Sequence, residues 1–519
     1  MKTSFIKYTA VLGLSFLATT SCKEDFLNQT PQSSITIDNF FQNKEQVLAS
    51  TASLYGFPWF NFNNTGIVPM GDIMAGNVHT YDPQFQPYMV FSVQPANSNL
   101  SASWASLYKV IGMSNTLIKL IPEKSATSIA KEDLNAAVGE AKFMRALAYF
   151  YLVRLWGAVP IVEDPQLATG ETNINRNKAE DVYKLIIKDL QYAEANCRPN
   201  KSAEGRVSIW SAKALLAKVY LYQKDFTNAR TKAEEVINSG QYSLMENYGD
   251  CFRQLKNNNA ESVFALQWKA NSDGWGTQNT IQSFLAPYNE GILDTGDSFG
   301  SYAPSIDLVG IYQKNDKRKK PSIMTAGDVY PDLVSKGNPQ GYTYPTTRLI
   351  SPSKANFRKN IVGAPKVNGG SDGDDVFFMR TSLNTNILRF AEVYLIAAEA
   401  IMGSGSSTSD AKAVGYFNKV RARAGLANAQ TITFDDIIQE RRIELACEGD
   451  YWYDLCRMDR AKAIDIISKQ ERGNYYDLTS NPASRKITPT AKDFLMPIPQ
   501  GESDRSPKLL EEPIPYLFK

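Results

Sequence analysis

The chain has 519 residues, 43% of them hydrophobic and 21% charged, an ordinary soluble composition with enough length to bury a core unaided. Beyond residues 1–21 it carries 54 basic and 54 acidic side chains. That balance argues against nucleic acid and anionic membrane as partners.

Residues 1–21 read as a targeting segment. Lys2 and Lys7 form a basic start, Tyr8 to Leu17 is an apolar run too short to span a bilayer, and Ala18, Thr19, Thr20 and Ser21 lead to Cys22. Small residues before a cysteine resemble a bacterial lipobox, with Thr19 where Leu is usual. The expectation is lipid attachment at Cys22, since each buried CH₂ of an acyl chain adds about 0.8 kcal/mol to anchoring. Ordinary cleavage to a soluble periplasmic protein is the alternative. Lys23-Glu24-Asp25 resembles the export tag of surface lipoproteins.

Further along, apolar residues recur at helical spacing. Phe143 to Leu155 is one such stretch. Lys178 to Cys197 presents Val182, Leu185, Ile186, Leu190 and Ala193 on one face, with Asn177 and Glu180 spaced as a capping box. A helix from Ser208 through Tyr220, a turn at Lys224-Asp225, and a helix from Phe226 to Ile237 closed by Gly240 follow. Leu216-Ala217, Tyr220, Phe226, Ala229 and Ala233 fit a tetratricopeptide (TPR) pattern, in which alanines let two antiparallel helices approach. Ile387 to Met402 pairs with Ala411 to Ala424, which Gly425 ends, and another helix opens at Thr433 with Asp436 in the capping position. Such hairpins must stack to cover their apolar faces. The fold class expected is mainly α, a TPR-like helix-pair superhelix, with 61–97 and 271–386 as ordered irregular loops and short strands laid over the helical scaffold.

Trp104, Tyr108, Ile111 and Asn115 form one motif, followed by Gly139-Glu140-Ala141-Lys142-Phe143 with Arg145-Ala146, and by Gly157-Ala158-Val159-Pro160. Asn418 to Gly425, Glu440-Arg441-Arg442, Glu444-Leu445, Glu448-Gly449, Trp452, Asp454-Leu455 and Pro497-Ile498-Pro499 continue the series in order. Through these motifs the chain resembles the SusD/RagB family of nutrient-binding lipoproteins, and the resemblance implies that the irregular segments build the ligand-binding face. The resemblance implies four TPR-like helix pairs and one body over residues 22–519, with an N-terminal region to about 240 and a C-terminal region from about 260. It also implies a glycan ligand, an outer-membrane surface location and a SusC-type TonB-dependent transporter as partner. Peptide uptake, as in RagB-type importers, is the alternative within the family.

Catalytic machinery is sparse. Gly369-Gly370-Ser371-Asp372-Gly373 has the spacing of a nucleophile elbow, but the one histidine, His79, lies upstream and the context reads as a turn. Glycosidases need two carboxylates about 5 to 10 Å apart. Glu440, Glu444, Glu448 and Asp454 alternate with Arg441, Arg442 and Arg457 and read as structural ion pairs. No enzyme activity and no cofactor are expected, a glycosidase being the less favoured alternative. Asp372, Asp374 and Asp375 lack EF-hand spacing and read as a solvated turn, with a structural calcium as the other possibility. The basic run Lys314 to Lys320 reads as a solvated face, and Cys197, Cys251, Cys447 and Cys456 as free thiols.

The binding chemistry is aromatic: sugar rings lie flat on rigid rings while hydroxyls pair with amides and carboxylates. Candidates are Trp59, Phe60, Phe62, His79 and Tyr81 in the first irregular segment and Trp275, Tyr288 and Tyr302 in the second. Trp104, Trp156, Trp210 and Trp452 read as core.

Overall fold

The computed structural model describes residues 40–164, 173–270, 274–347, 351–366, 370–374, 378–473 and 485–518. The targeting segment, Cys22, Gly369 and Asp375 lie outside them. The scaffold is built from long helices that follow one another in space as in sequence: α1 (Ser98–Lys124), α2 (Lys131–Trp156), α3 (Ala179–Asn196), α4 (Ile209–Tyr222) and α5 (Phe226–Asn238). After the irregular segment come α6 (Phe390–Met402), α7 (Ala411–Arg423) and α8 (Phe434–Glu444). From α1 to α7 each packs on its neighbour, α6 joining the two runs by packing on α5, and α8 packs back on α6.

The caps explain where these helices begin. The Ser208 side chain accepts from the Ser211 amide and Thr433 from that of Asp436, both as full capping boxes. Asp225 and Asp410 cap α5 and α7 without a reciprocal box, each carboxylate accepting from first-turn amides. Gly240 and Gly425, with φ +70° and +76°, take the left-handed positions just past α5 and α7. At α3 the expected box does not form. Lys178 is the cap, and the Asn177 side chain instead accepts from the Ile161 amide at 2.8 Å, because Asn177 is drawn into backbone bridges with Val159 and Ile514.

Packing follows the TPR logic. Ala214 and Ala217 of α4 and Ala229 and Ala233 of α5 are fully buried, so the two backbones close on small side chains. One apolar cluster runs from Leu54 to Met496 and takes in Trp104, Trp156 and Trp452, whereas Trp210 is only partly buried and donates to the Pro199 carbonyl. Helix α6 starts later than periodicity suggests. Thr385–Arg389 forms a strand paired with Ser262–Leu266, because Ile387 and Leu388 serve that ladder.

Between α8 and the preceding loops lies a buried ion network. The Glu444 carboxylate receives Arg423 at 2.5 Å, Arg389 at 2.8 Å and Arg318 at 3.0 Å. Arg318 also reaches Asp316 and Glu440 and is fully buried, so the basic run around it is a solvated face only in part. Arg441 ties Glu392, Asp450 and Asp454 together. The acids of this region are structural. All four described cysteines are free.

The first irregular segment is more helical than composition suggests. It holds helices at Phe60–Thr65 and Gln86–Met89, a π-helix at Pro69–Ile73 and a strand at Val78–Thr80 paired with Tyr302–Pro304. Among the described residues no helix is long and apolar enough to cross a membrane.

Candidate functional site

The eight aromatic and imidazole candidates separate by burial. Trp59, Phe62, His79 and Tyr302 are at most 2% exposed and have no ring face for a ligand. The 3₁₀ turn Phe57–Trp59, with Pro58 as its second residue, runs into the Phe60–Thr65 helix, so Trp59 and Phe62, three residues apart, share the inward face. Both meet the edge of Tyr151 from α2, and Trp59 Nε1 donates to the Leu54 carbonyl at 2.9 Å. His79 sits within a paired strand with Nδ1 3.0 Å from the Arg472 carbonyl, and burial lowers its pKa to about 4, leaving it neutral. Tyr302 stacks on Phe284 at 5.3 Å.

Trp275 and Tyr288 remain open, each 51% exposed. Trp275 stands on the edge of Phe60, with ring centroids 5.7 Å apart and planes at 78°, and Phe60 in turn packs edge-on against Trp268. Phe60 is therefore a support beneath the surface ring. Next to it is an aromatic absent from the sequence candidates, Phe57, 48% exposed, with the Lys109 ammonium 3.6 Å from its ring centroid. Partial burial lowers the Lys109 pKa below the ordinary lysine value. Gly276 joins the two rings: its φ is +109°, and a Cβ there would lie 3.3 Å from Phe57. The turn is pinned by Gln278, whose Oε1 accepts from the Gly276 and Thr277 amides, and by the Lys269 amide donating to the Thr277 carbonyl. The result is a rigid aromatic ledge, Phe57 and Trp275, backed by Phe60 and flanked by a cation.

A second group lies further along the same segment. The Tyr81 hydroxyl donates to the Phe299 carbonyl, and Phe299 meets Phe378 edge-on at 6.4 Å. Phe378 is 40% exposed and, like Met379, has a left-handed backbone, φ +52° and +50°. Asp297 accounts for that strain by accepting from the Met379 amide as well as from Ser283 and Thr295. The Gly300 backbone runs against Tyr288. A narrow cleft beside these rings is lined by Gln282, Asp294, Thr295 and Arg380. The isolated Asn279–Thr381 bridge joins the segment after Trp275 to the one after Phe378.

The remaining motifs are occupied structurally. Ser371 Oγ serves the Val334 backbone, Asp372 pairs with Arg253 at 3.5 Å, and Asp374 accepts from Ser382. Among the described residues no group of three His, Cys, Asp or Glu side chains is arranged to hold a metal.

A TPR-like scaffold whose irregular segments expose a fixed aromatic ledge is the architecture of a ligand-holding protein. The profile of the SusD family matches residues 233–514, and a second, described as starch-binding associating with outer membrane, matches residues 25–221. The chain belongs to the SusD family. A SusD-like protein of Bacteroides ovatus is 34% identical over 98% of both chains. A crystal structure with xylogluco-oligosaccharide is 34% identical and superposes with a TM-score of 0.81, covering 91% of this chain and 99% of that one. The starch-binding protein SusD of Bacteroides thetaiotaomicron is 25% identical over 61% of this chain and 63% of its own.

Proposed function

We propose that this chain is a glycan-binding lipoprotein of the outer cell surface that captures an oligosaccharide and transforms nothing. The observation that carries the reading is Trp275: a large ring half open to solvent, held edge-on by Phe60 and extended by Phe57. A pyranose laid on this ledge covers apolar area on rings that lose little freedom, and its hydroxyls turn outward to amides and to Lys109. The oligosaccharide-bound relative, at 34% identity, supports a sugar as ligand. Tyr288 and Tyr81 belong to the second group and extend the face to longer chains.

In this reading residues 22–519 act as one body, tethered by lipid on Cys22, and deliver glycan to a SusC-type TonB-dependent transporter. The test has three arms. Titration calorimetry of the mature protein against a panel of neutral oligosaccharides should give weak saturable binding that Trp275→Ala abolishes. Prolonged incubation should release no reducing sugar. Cys22→Ala should move the protein from the membrane to the soluble fraction. Wild-type affinity in Trp275→Ala would remove the ledge from the proposal.

A further inference from the structure

A spacious groove lies apart from the aromatic ledge. It encloses about 450 Å³ between the Tyr248–Phe252 turn, the short helix Lys319–Ser322, the Val329–Tyr330 strand and Arg358. That volume falls within the ordinary range of small-molecule sites, about 300 to 1,000 Å³. Arg253, Arg358, Lys317 and Lys320 line it against two acids, Asp250 and Asp332. Lys359 forms part of the lining too, but its ammonium is already held by Glu448 at 2.6 Å.

These cations are placed by the fold. Asp332 receives both guanidiniums, Arg253 at 3.3 Å and Arg358 more closely, so one carboxylate fixes two positive groups on the wall. Buried Arg318 anchors the segment that carries the lysines, and the Lys317 amide donates to the Ala424 carbonyl at 3.0 Å. The stem of Lys317 lies on Gly425, whose φ of +76° favours glycine, with Cε 3.0 Å from where a Cβ would stand. The Lys320 ammonium is 5.5 Å and the Arg358 guanidinium 5.8 Å from the centre of the buried Tyr330 ring, so both cations gather around it. Among the described residues neither Lys317 nor Lys320 pairs with a carboxylate.

We propose that this groove is a second subsite for an acidic saccharide, one whose charge is a uronate carboxylate or a sulfate ester. Lys317 and Lys320 take the charge, with Arg253 and Arg358 behind them. Asp250 and the Asn247 amide accept and donate to ring hydroxyls, and half-exposed Val329 faces the C–H edge of the sugar. Asp250 is what selects a saccharide over a bare anion, since it repels a small anion and accepts hydroxyls. A concave site between four segments also fits a single sugar better than a flat lipid surface. The proposal rests on the glycan-capture reading and adds a chemical class to it.

The experiment is calorimetry on the mature protein in low salt with three probes: galacturonate oligomers, a sulfated galactan oligomer and neutral xyloglucan oligomers. Lys317 and Lys320 are exposed, so the double variant Lys317→Ala/Lys320→Ala keeps its fold, checked by unchanged Tm. It is expected to lose about tenfold in affinity for the acidic probes, about 1.4 kcal/mol, and to bind the neutral probe as wild type does. Lys317→Arg/Lys320→Arg should restore acidic binding, and Trp275→Ala should weaken the neutral probe more than the acidic ones. The galacturonate and sulfated arms identify which anion is preferred. The proposal falls if the double variant binds both acidic probes like wild type, or if wild type binds the neutral probe and neither acidic one. Binding of no probe by wild type would sink glycan capture together with it.

Discussion

The carboxylate of Asp72, at the π-helix, accepts from the backbone amide of Gly449 at 2.6 Å, a bond between residues 377 positions apart. The same carboxylate accepts from the Cys447 amide and from the Asn77 side chain, so it sets the left-handed turn that Cys447 and Gly449 make after α8. Gly71 lies so close to the Gly449 backbone that a Cβ would come within 2.4 Å of it. Two distant parts of the sequence meet here, through one carboxylate and through backbone packed on backbone.

Burial raises the pKa of Asp72 from 3.8 to about 6, against the three hydrogen bonds that lower it. A folded-state value above the unfolded one means that the fold holds the proton more tightly. The contribution is complete below about 3.8 and is lost as pH rises through about 6. The stability advantage of wild type over Asp72→Asn should therefore shrink between pH 4 and pH 7, by up to about 3 kcal/mol. Urea denaturation of both proteins at the two pH values measures it, and an advantage that grows with pH would contradict the assignment.

Glu444 is the hub of the ion network. Burial alone would push its pKa up, but Arg423, Arg389 and Arg318 outweigh it and hold the carboxylate well below its usual range. Replacing it by Gln removes the one carboxylate shared by three buried guanidiniums and leaves a charge surplus in the interior, although Arg318 keeps Asp316 and Glu440, Arg389 keeps Glu261 and Glu448, and Arg423 keeps Glu261. Glu444→Gln should cost about 3 to 5 kcal/mol in urea, with no specific loss of glycan affinity at low temperature. A change below about 1 kcal/mol, the scale of an exposed ion pair, would mean that water reaches the cluster.

The ledge and the core beneath it should respond differently. Trp59→Ala removes a ring with no exposed surface and should lower stability by about 3 to 5 kcal/mol. Trp275→Ala removes a half-exposed ring and should change stability by under about 1 kcal/mol while eliminating neutral-glycan binding. Thermal melts beside calorimetry separate the two effects, and the reverse pattern would exchange their roles.

Gly276→Ala tests the turn itself. With φ +109° and Phe57 at contact distance, an added methyl strains the backbone and separates the two rings. Glycan affinity should fall several-fold, with a stability loss of about 1 kcal/mol or more. Undiminished affinity would show that Trp275 works without Phe57.

The scaffold was legible because its physics is local. Alanines at helical spacing, capping boxes at Ser208 and Thr433 and glycines at 240 and 425 each act within a few residues. The site was legible only in part. Asparagines around Trp59 and Phe62 suggested a loop, yet their spacing of three is that of a helix face, and Pro58 is the second residue of the turn that runs into it. Applying that spacing would have put both rings inside and left Phe57 outside. Trp275 could be singled out from its glycine-flanked setting, but Phe60 and Phe57 reach it from more than 200 positions away. Lys317 and Lys320 were visible as charge; that they rim a groove depends on Gly425 and Tyr330, which no local pattern connects to them.

The strand-like contact at Asn177 has a consequence for how the molecule is made. The Lys178 amide donates to the Ile514 carbonyl, and the Tyr516 amide donates to Asp181, 335 positions earlier. The start of α3 is thus fastened by residues synthesised long after it. Closing so wide a loop is slow. The start of α3 should stay unfastened until residues 514–516 dock on it, and assembly of this clasp should be a late step of maturation.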